Sequence, residues 1–187
     1  VGMVLEDVEI RIADLEIKDE VKKNGDIGVV EVKGPNVFKG YWKQPEKTKS
    51  EFRDDGYFIT GDMGFLDQDN YLTIVGRNKD LIITGGLNVY PKEIETVIDQ
   101  DSNVDESAVV GVSHPDFGEG ILAIIVEKKG HSINIDVLKE TLRKNLAAFK
   151  LPKKIHVIKE LPRNSMGKVQ KNLLRDIYRD EFSDTNK

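Results

Sequence analysis

A chain of 187 residues holds one large domain or two small ones, and its 39% apolar and 33% charged residues fit a soluble, packed protein. A net charge of −5 argues against a nucleic-acid surface, and the absence of cysteine excludes disulfide frameworks and thiolate metal sites. The three histidines, His114, His131 and His156, are scattered without metal-ligand spacing. The longest apolar run, residues 121–126, is too short to span a bilayer, and no basic-then-apolar leader opens the chain, so a cytoplasmic location is predicted. The chain starts at Val1, without an initiator Met and already in strand-like sequence, and reads as a fragment of a longer protein.

Residues 1 to about 76 read as all β. Val8-Glu9-Ile10-Arg11-Ile12 alternates apolar and charged side chains, the mark of a half-buried strand. Asn24-Gly25-Asp26 signals a turn, and Val29-Val30-Glu31-Val32 a second strand. An irregular stretch then carries Phe38, Tyr41, Trp42 and Pro45, and residues 45–52 predict a short helix. These aromatics read as the packed core of a small barrel-like subdomain. An aromatic strand at Tyr57-Phe58 runs into a Thr60-Gly61-Asp62 turn. Residues 67–70 make a polar turn before a further strand at 71–75.

Residues 80 to about 182 mix α and β. Leu81-Ile82-Ile83 leads into Gly85-Gly86, and Pro91 suits the first turn of a helix striped by Ile94, Val97 and Ile98. Residues 107–112 and 121–126 are nearly continuous apolar runs, which suit central strands covered on at least one face by helices. Leu138, Leu142, Leu146 and Phe149 stripe another helix, with Asp136 as its predicted N-cap. Residues 155–158 make a short strand, and Leu173, Leu174, Ile177, Tyr178 and Phe182 stripe a final helix. The predicted fold class is α+β. A barrel-like β subdomain (1–78) precedes a compact α+β domain with a small sheet flanked by helices (79–182), then a frayed polar tail (183–187). The linker is read at Arg77 to Asp80.

Two stretches carry chemistry. The carboxylate of Asp62 has two acceptor oxygens that match the neighbouring hydroxyls of a ribose diol, and Gly61 lets backbone approach a ligand. Lys168, in Leu161-Pro162-Arg163-Asn164-Ser165-Met166-Gly167-Lys168, puts a compact charge on a long stem in a loop that swings, suited to bridging a carboxylate and a phosphate. Each piece has a plainer reading when taken alone. Thr60-Gly61-Asp62 is then a turn former, Arg77 a surface salt bridge at a strand end, Gly85-Gly86 a tight hairpin and Gly167-Lys168 a solvated surface.

Taken together, the pattern resembles the AMP-forming acyl-CoA synthetases, a superfamily that includes peptide-synthetase adenylation domains and firefly luciferase. The resemblance rests on Tyr57-Phe58-Ile59-Thr60-Gly61-Asp62 and Gly76-Arg77-Asn78-Lys79-Asp80. It continues through residues 80–91 with Glu93-Ile94-Glu95, and ends in the Leu161-to-Lys171 segment before the last helix. It implies that Asp62 holds the ribose of ATP and AMP, and that Arg77 lies near the ribose and phosphates. It makes Lys79 the hinge, has Gly85, Gly86 and Leu87 line the coenzyme A tunnel, and makes Lys168 the adenylation lysine. No metal ligand is assigned.

The implied activity is an ATP-dependent acid–thiol ligase that forms acyl-AMP and then acyl-CoA, as in fatty acid metabolism. Its partners are a small carboxylate, ATP, coenzyme A and an N-terminal domain absent from the chain. The family's phosphate loop, its Tyr-Gly-x-Thr-Glu motif, its Mg²⁺ contacts and most of its acyl pocket lie upstream, so the isolated chain is expected to be inactive. Residues 34–42 and 114–120 look most like malonyl-CoA and related synthetases. Lys150, Lys153 and Lys154 read either as contacts to coenzyme A phosphates or as a solvated basic face. Alternatives are an adenylation domain feeding a carrier protein, and a non-catalytic module derived from a ligase. The retained Asp62, Arg77 and Lys168 argue against the latter.

Overall fold

A computed structural model describes residues 2–14, 17 and 20–183. Its contacts divide the chain into two units, Val1–Lys79 and Asp80–Lys187. The fold is α+β, with mainly antiparallel sheets flanked by helices. Of the polar tail, only Ser183 lies among the described residues.

The first unit is a four-stranded antiparallel sheet of β1 (Glu9–Ala13), β2 (Gly28–Lys33), β3 (Phe58–Leu66) and β4 (Leu72–Arg77), paired in chain order. The helix α1 (Pro45–Glu51) begins with a proline where no donor is needed. The expected barrel is therefore corrected to an open sheet, since β1 pairs only with β2 and β4 only with β3 among the named strands. Closing a barrel needs tilt and stagger that bring the last strand against the first, and here β1 and β4 are the two edges of the sheet.

Apolar side chains at every second position make one face of this sheet. Ile12, Val30 and Leu72 are buried there, with Ile10, Leu66 and Ile74 against them. On the other side of β1 and β2, Glu9 is exposed but Arg11 and Glu31 are not. Glu31 is fully buried, its two oxygens accepting from Arg11 Nε at 2.8 Å and Arg53 Nε at 2.7 Å. Arg11 also bonds Asp55 at 2.6 Å and lies over the Tyr57 ring. That hydrogen bond holds the Asp55 carboxyl below the ordinary carboxylate range. The aromatic residues form a separate patch. Phe38 meets Tyr41, Phe52 and Phe58 edge-on, while Trp42 is 85% exposed and belongs to no core.

The second unit is built on one long hairpin, β7 (Val104–His114) and β8 (Gly118–Glu127). A short hairpin of β5 (Ile82–Thr84) and β6 (Leu87–Val89) joins β8 through β5, and β9 (Lys154–Ile158) runs parallel to β8. Helices α2 (Pro91–Ile98) and α3 (Ile135–Asn145) supply Ile94, Ile98, Leu138 and Leu142 to one core with Val109, Ile121, Ala123 and Ile125. Helix α4 (Lys171–Ile177) and the segments around it supply Leu161, Leu174 and Phe182 to a second core with Ala108, Val110, Leu122 and Ile124. Both faces of β7 and β8 are covered, which is why these strands are apolar without alternation.

Two helix details differ from expectation. Asn134, not Asp136, caps α3, its Oδ1 accepting from the backbone N–H of Asp136 at 3.1 Å and Val137 at 3.2 Å. The helices are also shorter than their stripes. Phe149 lies in a 3₁₀ turn past α3, and α4 ends at Ile177, leaving Leu173 and Ile177 exposed while Phe182 is buried in the turns that follow.

Candidate active-site elements

Asp62 does not lie in a turn. It lies inside the continuous strand β3, at a bulge. Between the pairs Val29–Met63 and Glu31–Ile59, the single residue Val30 faces Thr60, Gly61 and Asp62. Gly61 takes φ +73°, a left-handed conformation that glycine adopts without strain. Thr60 clamps the bulge, since its hydroxyl donates to Val30 O at 2.8 Å and accepts from the Asp62 N–H at 3.0 Å. Bulges re-aim side chains. Here Asp62 is aimed at its cross-strand partner Arg77, whose Nε donates to Asp62 Oδ1 at 2.7 Å. Arg77 thus makes the strand-end salt bridge of its plainer reading, and the partner is the other predicted nucleotide-binding residue. The pair is half-exposed. The pair can present acceptors to a diol and a guanidinium to an anion side by side.

The polypeptide then makes a 3₁₀ turn, Asn78–Asp80, with Lys79 exposed in its middle. Asp80 accepts from Arg175 Nη2 of α4 at 2.9 Å, which ties the start of the second unit to its last helix.

Gly85 and Gly86 form the two-residue loop of the β5–β6 hairpin, with φ of +57° and +78° and Thr84 paired to Leu87. Two positive φ values in a row suit the tight hairpin turn that glycine favours. The loop is braced from the β7–β8 turn. The Gly85 N–H donates to Phe117 O at 2.9 Å, and Glu119 Oε2 accepts the Ile83 N–H at 2.7 Å. Leu87 is 47% exposed, so this hairpin displays an apolar side chain beside bare backbone. Glu119 was not singled out by sequence reasoning, and only the hairpin's position beside β8 reveals it.

Lys168 is exposed, and its ammonium has no hydrogen-bond or ion-pair partner among the described residues. Its loop is closed on itself by hydrogen bonds. Arg163 and Val169 form a β-bridge, and Asn164 and Lys168 are joined through Asn164 N and Lys168 O at 3.0 Å. Arg163 also donates to Gly167 O at 2.6 Å and pairs with Glu106 on β7. After the loop, Lys171 Nζ meets Glu95 Oε1 of α2 at 2.5 Å, and the same oxygen accepts the Val109 N–H. Glu95 and Glu106 were not read from sequence as supports of this loop, because each sits on a distant element.

The other lysines are engaged. Lys150 pairs with Glu93 at 2.7 Å, Lys154 with Glu181 at 3.0 Å, and Lys153 lies 3.7 Å from the Phe117 ring centroid. They do not form a free basic face. Among the described residues no helix is long and apolar enough to cross a membrane.

Over most of its length the chain is similar to known proteins. Residues 93–168 match the family described as AMP-binding enzyme C-terminal domain. A 2-succinylbenzoate–CoA ligase of Geobacillus sp. (strain WCH70) is 39% identical over 163 residues, covering 84% of this chain and 33% of the relative. A long-chain-fatty-acid–CoA ligase of Salmonella typhimurium is 39% identical over 176 residues, covering 94% of this chain and 31% of the relative. The solved structure of ATP-bound MatB from Rhodopseudomonas palustris matches with a TM-score of 0.90 at 56% identity, covering 97% of this chain and 36% of that one. The chain belongs to the AMP-forming acyl-CoA synthetase superfamily and carries its AMP-binding C-terminal domain. It spans about a third of the length of the proteins it matches.

Proposed function

We propose that this chain works as the C-terminal part of an ATP-dependent carboxylate–CoA ligase with a malonyl- or fatty-acyl-type substrate. The observation that carries the reading is Lys168, an ammonium without a partner among the described residues, on an exposed loop closed by its own hydrogen bonds. In the first half-reaction a carboxylate oxygen attacks the α-phosphorus of ATP, and the bond to the bridging oxygen of pyrophosphate breaks. Lys168 neutralises the oxygens that gather charge in that transition state. Asp62 accepts from the ribose hydroxyls, and Arg77 holds its carboxylate in place beside the phosphates. In the second half-reaction the thiolate of coenzyme A attacks the acyl carbon and AMP leaves; residues 85–87 line the path of the thiol. Mg²⁺ accompanies ATP on residues outside this chain, and the chain alone does not turn over. The test is ATP–pyrophosphate exchange by the full-length protein across a panel of carboxylic acids. Exchange that requires no carboxylate in the panel would sink the reading.

Asp62→Ala removes both ribose acceptors. ATP affinity is expected to weaken by the roughly 1.5–3 kcal/mol of a charge-assisted hydrogen bond, read as the dissociation constant of the full-length protein for ATP. An unchanged constant would remove the ribose assignment.

The hinge reading of Lys79 rests on its exposed place in the turn where the two units meet in sequence. Such turns absorb the backbone change of a domain rotation. Lys79→Pro fixes φ near −65° and restricts Asn78. It is expected to spare one half-reaction more than the other. Equal loss of both, with an unchanged melting curve, would argue against a hinge.

A further inference from the structure

We propose that Asn164 is the positioning residue of the Lys168 ammonium. The inference rests on the adenylation role proposed for Lys168 and names what holds that lysine ready.

A lysine head on a four-carbon stem is placed only as well as its backbone is. Four hydrogen bonds of Asn164 define the backbone here. Its N–H donates to Lys168 O at 3.0 Å, and its C=O accepts from the Gly167 N–H at 2.9 Å. Its Oδ1 accepts from the Met166 N–H at 3.0 Å and from the Lys168 N–H at 2.9 Å. The first two bonds are open to any residue. The last two need an acceptor one carbon beyond Cβ, which aspartate and asparagine supply in such turns. Gly167, at φ +77° with nothing within 4 Å of an added Cβ, completes the turn. Arg163 fastens the loop to β7 from outside, while Asn164 is the side chain that reaches the Lys168 peptide itself.

Met166 and Lys168 are exposed. When the Asn164 amide is removed, water replaces the lost acceptor at both N–H groups, so the cost to the fold is small. The cost to catalysis is not small, because the path of the lysine stem is no longer specified. A misplacement of about 1 Å at a reacting centre costs on the order of 10²-fold in rate.

The experiment is a double-mutant cycle in the full-length protein, comparing Asn164→Ala, Lys168→Ala and the double variant. Each is measured for ATP–pyrophosphate exchange and for thioester formation from preformed acyl-AMP. Asn164→Ala is expected to lower kcat of exchange roughly 10- to 100-fold with KM for ATP little changed, and to leave thioester formation near wild type. On the Lys168→Ala background it is expected to cost nothing further. Asn164→Asp, which keeps an acceptor at the Oδ1 position, restores most of the rate, and Asn164→Ser, with a shorter reach, falls between. That graded series decides the matter even where the alanine variant fails to fold. A full additional loss on the Lys168→Ala background overturns the proposal, as does an aspartate variant no better than serine. If Lys168→Ala itself leaves exchange intact, the reading of Lys168 fails instead, and this inference falls with it.

Discussion

Lys168→Ala in the full-length protein is expected to lower acyl-adenylate formation by ~10²–10³, the typical consequence of losing a key transition-state donor. Thioester formation from preformed acyl-AMP falls far less, because the group then leaving is AMP and no new charge gathers on a transferring phosphoryl group. The melting curve stays where it was, since the ammonium touches no described residue and the loop is held by its own backbone and by Asn164. Two rate measurements on one variant therefore separate the half-reactions. If both rates drop equally while the melt is unchanged, Lys168 is not the adenylation lysine.

Glu31→Gln is the second large effect, and it concerns stability. Glu31 is fully buried between the guanidiniums of Arg11 and Arg53. A neutral amide in its place leaves both cations without their shared counter-charge and turns an amide N–H₂ toward a donor. Breaking a buried ion network from one side costs about 3–5 kcal/mol, whereas an exposed pair is worth about 0–1 kcal/mol. Urea unfolding of the full-length protein followed through the first unit reads the difference. A loss under ~1 kcal/mol would place the network with surface pairs. The same network has a pH signature. The Asp55 carboxyl is lowered in the fold by its hydrogen bond to Arg11. Its contribution is therefore present above the ordinary carboxylate pKa of about 3.9 and disappears as pH falls through the lower folded value.

Much of the architecture is legible along the chain because it is written in local periods. Alternation over residues 8–12, the β-branched runs at 107–112 and 121–126, and Pro91 before Ile94 and Ile98 each locate an element without knowledge of the rest. The site residues stand out for another reason. A carboxylate after Thr60-Gly61 and a lysine after Gly167 occur in one long ordered pattern, visible before any contact is known.

What the tertiary structure alone decides is which groups face one another. Whether four strands close is a matter of how their edges meet, so the barrel expectation fails and an open sheet stands in its place. Whether Trp42 is core depends on what packs over it, and it stays 85% exposed beside the Lys43 ammonium. Asp62 and Arg77 are fifteen positions apart, and only the β3–β4 register with the bulge at Thr60–Asp62 turns one toward the other. The internal closure of the Lys168 loop is likewise decided in space, where Asn164 folds back on Lys168 and Arg163 reaches Glu106 on β7. The cap of α3 follows the same logic, since the sequence pattern points to Asp136 and the backbone path puts Asn134 there. Periodicity and motif are properties of neighbours in sequence. Register, closure and the partner of a charged side chain are properties of neighbours in space, and they exist only once the chain has folded.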